Sequence, residues 1–183
     1  MTISLRAHTS LSVLVGAPLV WEISRVDLAW ESLPFLLCCG FTAAAPWLAL
    51  RFGWWTGVLP AAVGVLGSAG FVLWLDHLPA RPEVANLPAV QIAGVLAVLV
   101  IVVRDAGPWG AWLGGVVLAS STAAAATAIQ LWTRAPHYAP TVAGTALLLF
   151  GGALASGVYL RSGYSAASRW TTGSTSAARM DLR

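Results

Sequence analysis

The most constraining feature of this 183-residue chain is its division into about six apolar stretches, each long enough to cross a bilayer as a helix. They run over about residues 5–21, 33–50, 56–75, 87–103, 111–130 and 141–160. Short polar or Pro-rich connections separate them. Stretches of roughly 17–20 residues suit helices, because a barrel strand needs only about ten residues of alternating polarity. In hydrocarbon every backbone amide needs an internal partner, and a helix supplies one locally. The expected fold is therefore all-α, a polytopic membrane bundle of about six transmembrane helices filling residues 1–161. A polar cytoplasmic tail, expected to be disordered, follows over residues 162–183.

Composition supports this. Apolar residues make up 58% of the chain and charged residues 9%, whereas a soluble domain carries about a quarter charged residues. The outer face of a soluble globule of this make-up would still have to meet water. The lipid bilayer is thus the expected partner. No basic stripe with interleaved aromatics is present, so nucleic acid is not expected as a partner.

The first stretch is short for a span. Its apolar core runs from Leu11 to Val20 and reaches spanning length only if the helix starts near Leu5, with Arg6 reaching back to the surface. A signal peptide is the rival reading, but Pro18, Leu19, Val20 and Trp21 make a poor cleavage site. A charged segment with Glu22, Arg25, Asp27 and Glu31 is expected to follow outside the span.

All ten basic side chains are arginine. With the N-terminus cytoplasmic, Arg6, Arg51, Arg104, Arg161, Arg169, Arg179 and Arg183 fall inside, and Arg25, Arg81 and Arg134 outside. That bias fits the positive-inside rule and predicts the inner (plasma) membrane with both termini cytoplasmic. Tryptophans fall at the same boundaries: Trp21, Trp30, Trp74 and Trp132 at the outer ends, Trp47, Trp54, Trp55, Trp109 and Trp112 at the inner ends, with Trp170 after the last span. An indole favours the headgroup level, where its ring meets lipid and its N–H meets water.

Candidate functional residues are few. The loop residues Asp76, His77, Arg81 and Glu83 form a candidate external sensing site, since His titrates near neutral pH; a solvated loop is the plainer reading. Gly53 with Gly57, and Gly110 with Gly114, have the spacing that lets helices pack closely, within one chain or in a homo-oligomer. Adjacent Cys38 and Cys39 read as small buried apolar residues. His8, His77 and His137 lack metal-ligand spacing, so neither a metal nor a cofactor is expected. Ser120, Ser121 and Thr122 lie mid-span without a neighbouring base, so catalysis is not expected. Spans two to six hold no ionisable residue near their centres, which argues against a proton-coupled pump but leaves a passive pore open.

Three local segments carry a resemblance. Thr42-Ala-Ala-Ala-Pro46-Trp-Leu-Ala-Leu50-Arg51 runs through a Pro into an inner turn. Val100-Ile-Val-Val-Arg104-Asp-Ala-Gly107 forms a later inner turn. Gly157-Val-Tyr159-Leu160-Arg161, followed by Tyr164, leaves the last span. Together, over about residues 5–165, they resemble the N-terminal transmembrane sensor region of sensor histidine kinases from GC-rich Gram-positive bacteria. The resemblance implies a sensor or anchor module in signal transduction that works through a membrane protein partner. The chain departs from that family after Arg161, where Ser165-Ala-Ala-Ser-Arg169-Trp-Thr-Thr-Gly173 lacks coiled-coil spacing and no kinase core follows in this sequence. The alternatives are a small oligomeric transporter or channel subunit, for which Gln91, Gln130, Ser120 and Ser121 would line a wet path, and a structural assembly factor.

Overall fold

A computed structural model describes residues 5–25, 32–75, 87–133, 150–159 and 161 of the chain. The described residues are helical: α1 (Leu5–Arg25), α2 (Leu33–Phe52), α3 (Trp55–Leu75), α4 (Ala89–Asp105), α5 (Pro108–Thr133) and a last helical segment, α6, over residues 150–159. Three of them are long and apolar enough to cross a membrane, in the stretches Leu33–Phe52, Trp55–Trp74 and Pro108–Leu131. The tail 162–183, the loop containing Asp76, His77, Arg81 and Glu83, the loop of Arg134 and His137, and the first part of the expected sixth span lie outside the described residues.

Prolines and one glycine set several helix ends. Pro34 stands in the first turn of α2, and Pro108 begins α5, where a missing N–H costs nothing. Pro88 precedes α4, and its carbonyl accepts the Gln91 N–H at 3.0 Å. Gly53 ends α2 at φ 107°, a conformation that side chains strain to adopt, and its N–H bonds to the Ala49 carbonyl at 3.1 Å. The hydroxyl of Thr56, at the start of α3, sits 2.8 Å from the Leu48 carbonyl and 2.7 Å from that of Gly53, which folds α3 tightly back against α2.

Small residues make up much of the core, and many large apolar side chains lie outside it. Helix α4 is the hub, with ten of its residues buried, and α1, α2, α3 and α5 all pack against it. The core around it is built from Ala45, Val58, Ala61, Val65, Val98 and Val102, among others. A second cluster at the far end joins Val15 of α1 to Phe35, Phe71, Val72 and Val90. Leu37, Phe41, Leu59, Trp74, Trp112 and Leu131, by contrast, point outward. Large apolar side chains on the outside are costly in water, whereas lipid is as good a solvent for them as the core.

The crossing of α2 with α3 and α4 shows why small residues are needed. Pro46 has no N–H, so the Thr42 carbonyl one turn earlier loses its helical partner. The Gly94 backbone of α4 lies directly against that carbonyl, where a Cβ would collide with it. On its other side, Thr42 faces Gly64 of α3, where a Cβ would strike the Thr42 hydroxyl. That hydroxyl donates to the Cys38 carbonyl at 3.0 Å. Three helices thus meet at one buried threonine.

Candidate functional site

A buried polar contact between helices centres on Gln91, in the first turns of the hub helix. Gln91 is 0% exposed. Its Oε1 lies 3.1 Å from Ser68 Oγ of α3, and that hydroxyl also lies 2.9 Å from the Val65 carbonyl, so one proton is shared between two acceptors. Gln91 Nε2 faces the Gly64 carbonyl at 3.5 Å and Cys39 Sγ at 3.8 Å. Both are long contacts, the weaker end of hydrogen bonding. One amide therefore touches α2 through Cys39 and α3 through Ser68 and Gly64. Among the described residues every buried side-chain nitrogen and oxygen has a partner.

Glu22 corrects the expectation of a charged segment beginning after the first span. It lies within α1 and is 2% exposed. Its Oε1 accepts the Ala89 N–H at 2.9 Å. Ala89 opens α4, where its own N–H has no partner within the helix and the positive end of the helix dipole lies. A carboxylate from α1 answers both, so the polar group that ought to end a span instead pins α1 to the hub. Ala89 stands two positions before Gln91 on the same helix. No linear motif marks it: Glu22 and Ala89 stand 67 residues apart.

The other residues of interest distribute as follows. Gly53 is the cap of α2 and has open space around its Cα. Gly57 sits on α3 against Ala45 and Ala49 of α2. On α5, Gly110 lies against Trp54, and Gly114 against Val102 and Trp54. Ser121 Oγ bonds back to the Leu118 carbonyl at 3.0 Å and Thr122 Oγ1 to the same carbonyl at 2.7 Å. Ser120 is exposed and bonds back to Val117 at 3.2 Å. Gln91 reaches Ser68, Gly64 and Cys39, none of which belongs to the wet path proposed from sequence.

A second feature forms the opposite end of the hub, where α2, α4 and α6 finish and α3 and α5 begin. Trp54 and Trp55 stack with ring centroids 3.9 Å apart, and Trp109 meets Trp112 edge-on at 6.5 Å. Arg104 holds Asp105 through two bonds of 2.6 and 2.7 Å. Arg161 Nη1 reaches the Ala106 carbonyl at 3.4 Å, and Gly157 packs against Val103. Arg51 is exposed, its guanidinium carbon 5.5 Å from the centre of the Phe52 ring.

The Gln91 cluster can bind helices together but is poorly made for chemistry. Ser68 is bonded to an amide and a backbone carbonyl, neither of which takes its proton near neutral pH. The chain matches no protein-family model, no curated protein and no solved structure.

Proposed function

We propose that this chain is a six-span protein of the plasma membrane with both termini cytoplasmic, and that it works as a sensor or anchor module through a membrane protein partner. In this reading it catalyses nothing itself. The observation that carries the proposal is the closure of the Gln91 amide by Ser68, Gly64 and Cys39. This amide ties α2 and α3 to the hub α4 instead of facing a passage. A hub helix held by small, discrete contacts suits a device in which one helix shifts against its neighbours. With short outer loops, the natural input is the state of the bilayer itself. The resemblance to sensor-kinase input regions adds a direction for the output, toward a signalling helix after Arg161.

A second reading, an oligomeric transporter or channel subunit, draws on the exposed Ser120 and Thr127 of α5, whose hydroxyls would face a lumen in a ring of copies. Two measurements separate the readings. Vesicles loaded with protein should retain trapped ions and dye. A kinase core joined in heptad phase after Arg161 should change its autophosphorylation between thin and thick bilayers. Leakage in proportion to protein, or phosphorylation indifferent to thickness, refutes the sensor reading.

A further inference from the structure

The end of the bundle at the α2–α3 turn combines a cation, an aromatic platform and an apolar track. Arg51 stands in the last turn of α2 and is exposed. Three of the carbonyls there are met by other groups: Gly53 N–H takes that of Ala49, and the Thr56 hydroxyl meets those of Leu48 and Gly53. Asp105 is the one acidic residue at this end among the described residues, and Arg104 occupies both its oxygens. The guanidinium of Arg51 has no carboxylate within ion-pair distance among the described residues, and Phe52 flanks it. A positive charge thus remains at the headgroup level.

Four residues further along the chain, at the first residue of α3, a stripe of exposed apolar side chains begins. Trp55, Leu59, Val63 and Leu66 are all exposed, at steps of four, four and three residues, which places them on one helix face. Gly67 and Gly70, also exposed, continue that face as a shallow furrow. From Trp55 to Leu66 the track is roughly 16 Å long at 1.5 Å per residue. One leaflet of a bilayer offers about 15 Å of hydrocarbon. The charge sits at the headgroup end of a track one acyl chain long.

We propose that Arg51 holds the phosphate of an anionic phospholipid whose acyl chain lies along Trp55, Leu59, Val63 and Leu66. The planar guanidinium offers a fork of donors to phosphate oxygens. A zwitterionic headgroup brings its own cation to the same place and loses much of that attraction. The inference rests on the membrane placement of α2 and α3 and is independent of the sensing role.

The test is lipid retention by the full chain in detergent, read by native mass spectrometry. Dioleoylphosphatidylglycerol should be retained about fivefold better than dioleoylphosphatidylcholine, the gain expected of one arginine at an anionic headgroup. Arg51→Ala should bring that ratio near one, and Arg51→Lys should keep most of it. Millimolar inorganic phosphate should displace neither lipid, and short-chain dihexanoylphosphatidylglycerol should bind less well than the dioleoyl form. Equal retention of the two dioleoyl lipids by the wild-type chain overturns the proposal, whether or not the Arg51→Ala variant folds. Displacement by phosphate would mean a site for the free anion, and equal binding of the short chains would remove the acyl track. Folded protein recovered without detergent would instead sink the membrane reading.

Discussion

Gly94→Ala tests the packing argument at its tightest point. The new methyl carbon would lie 2.9 Å from Thr42 Cγ2 and 3.0 Å from the Thr42 carbonyl carbon, with the carbonyl oxygen closer still. Ordinary van der Waals contact begins near 3.4 Å. The obstructing atoms belong largely to backbone, which cannot rotate aside, so α2 and α4 must part by several tenths of an ångström. Overpacking of this kind costs about 1–3 kcal/mol, and a backbone obstruction belongs at the upper end. The better helix propensity of Ala returns at most about 1 kcal/mol. The net expectation is a loss of about 2 kcal/mol. The matched control is Gly70→Ala, where nothing lies within 4 Å and the effect should be neutral or slightly stabilising. Unfolding in mixed micelles, titrated with SDS and followed by near-ultraviolet circular dichroism, measures both. If Gly94→Ala is as stable as Gly70→Ala, α2 and α4 do not approach as closely as described.

Gln91→Leu keeps the side-chain volume and should cost less than about 1 kcal/mol, since interhelical hydrogen bonds in membranes are worth little, whereas Gln91→Ala opens a void and should cost about 2–4 kcal/mol in the same titration. The reverse order would mean that the amide bonds, not the packing, hold the cluster. Glu22→Gln retains an oxygen for the Ala89 N–H and should be near wild type, while Glu22→Ala leaves that amide unmet and should lose about 1–3 kcal/mol; equal losses would point to the charge alone. Topology is checked with single cysteines at Asp76 and Ser165 in a chain lacking Cys38 and Cys39. An impermeant thiol reagent should label intact cells only at position 76.

How much of this could be read in advance depends on the range of the interaction. The helices were legible because hydrophobicity acts residue by residue, and a run of apolar side chains declares its helix without reference to any neighbour. The stretch expected over 33–50 is the helix Leu33–Phe52, and that over 56–75 is Trp55–Leu75. The turn at Arg51 and the tryptophans beside it follow from the same local logic. Gly53 with Gly57 is an instructive miss: four-residue spacing suggests one helical face, yet α2 ends between them, so the first caps a helix and only the second packs against one.

The sequence by itself therefore determined that the chain is helical, with stretches long and apolar enough to cross a membrane, and where those helices run among the described residues. Only the tertiary structure decided what the few polar groups are for. A hydropathy window sees Glu22 as the end of a span, because it weighs the carboxylate against water or lipid. In the folded chain the carboxylate is weighed against neither, but against the open amide of Ala89 that α4 brings to it. Gly94 carries no small partner at four-residue spacing. Its need for a missing side chain arises from a carbonyl that Pro46 has freed on another helix. Such requirements live between segments distant in sequence, and they come into being only when the helices pack.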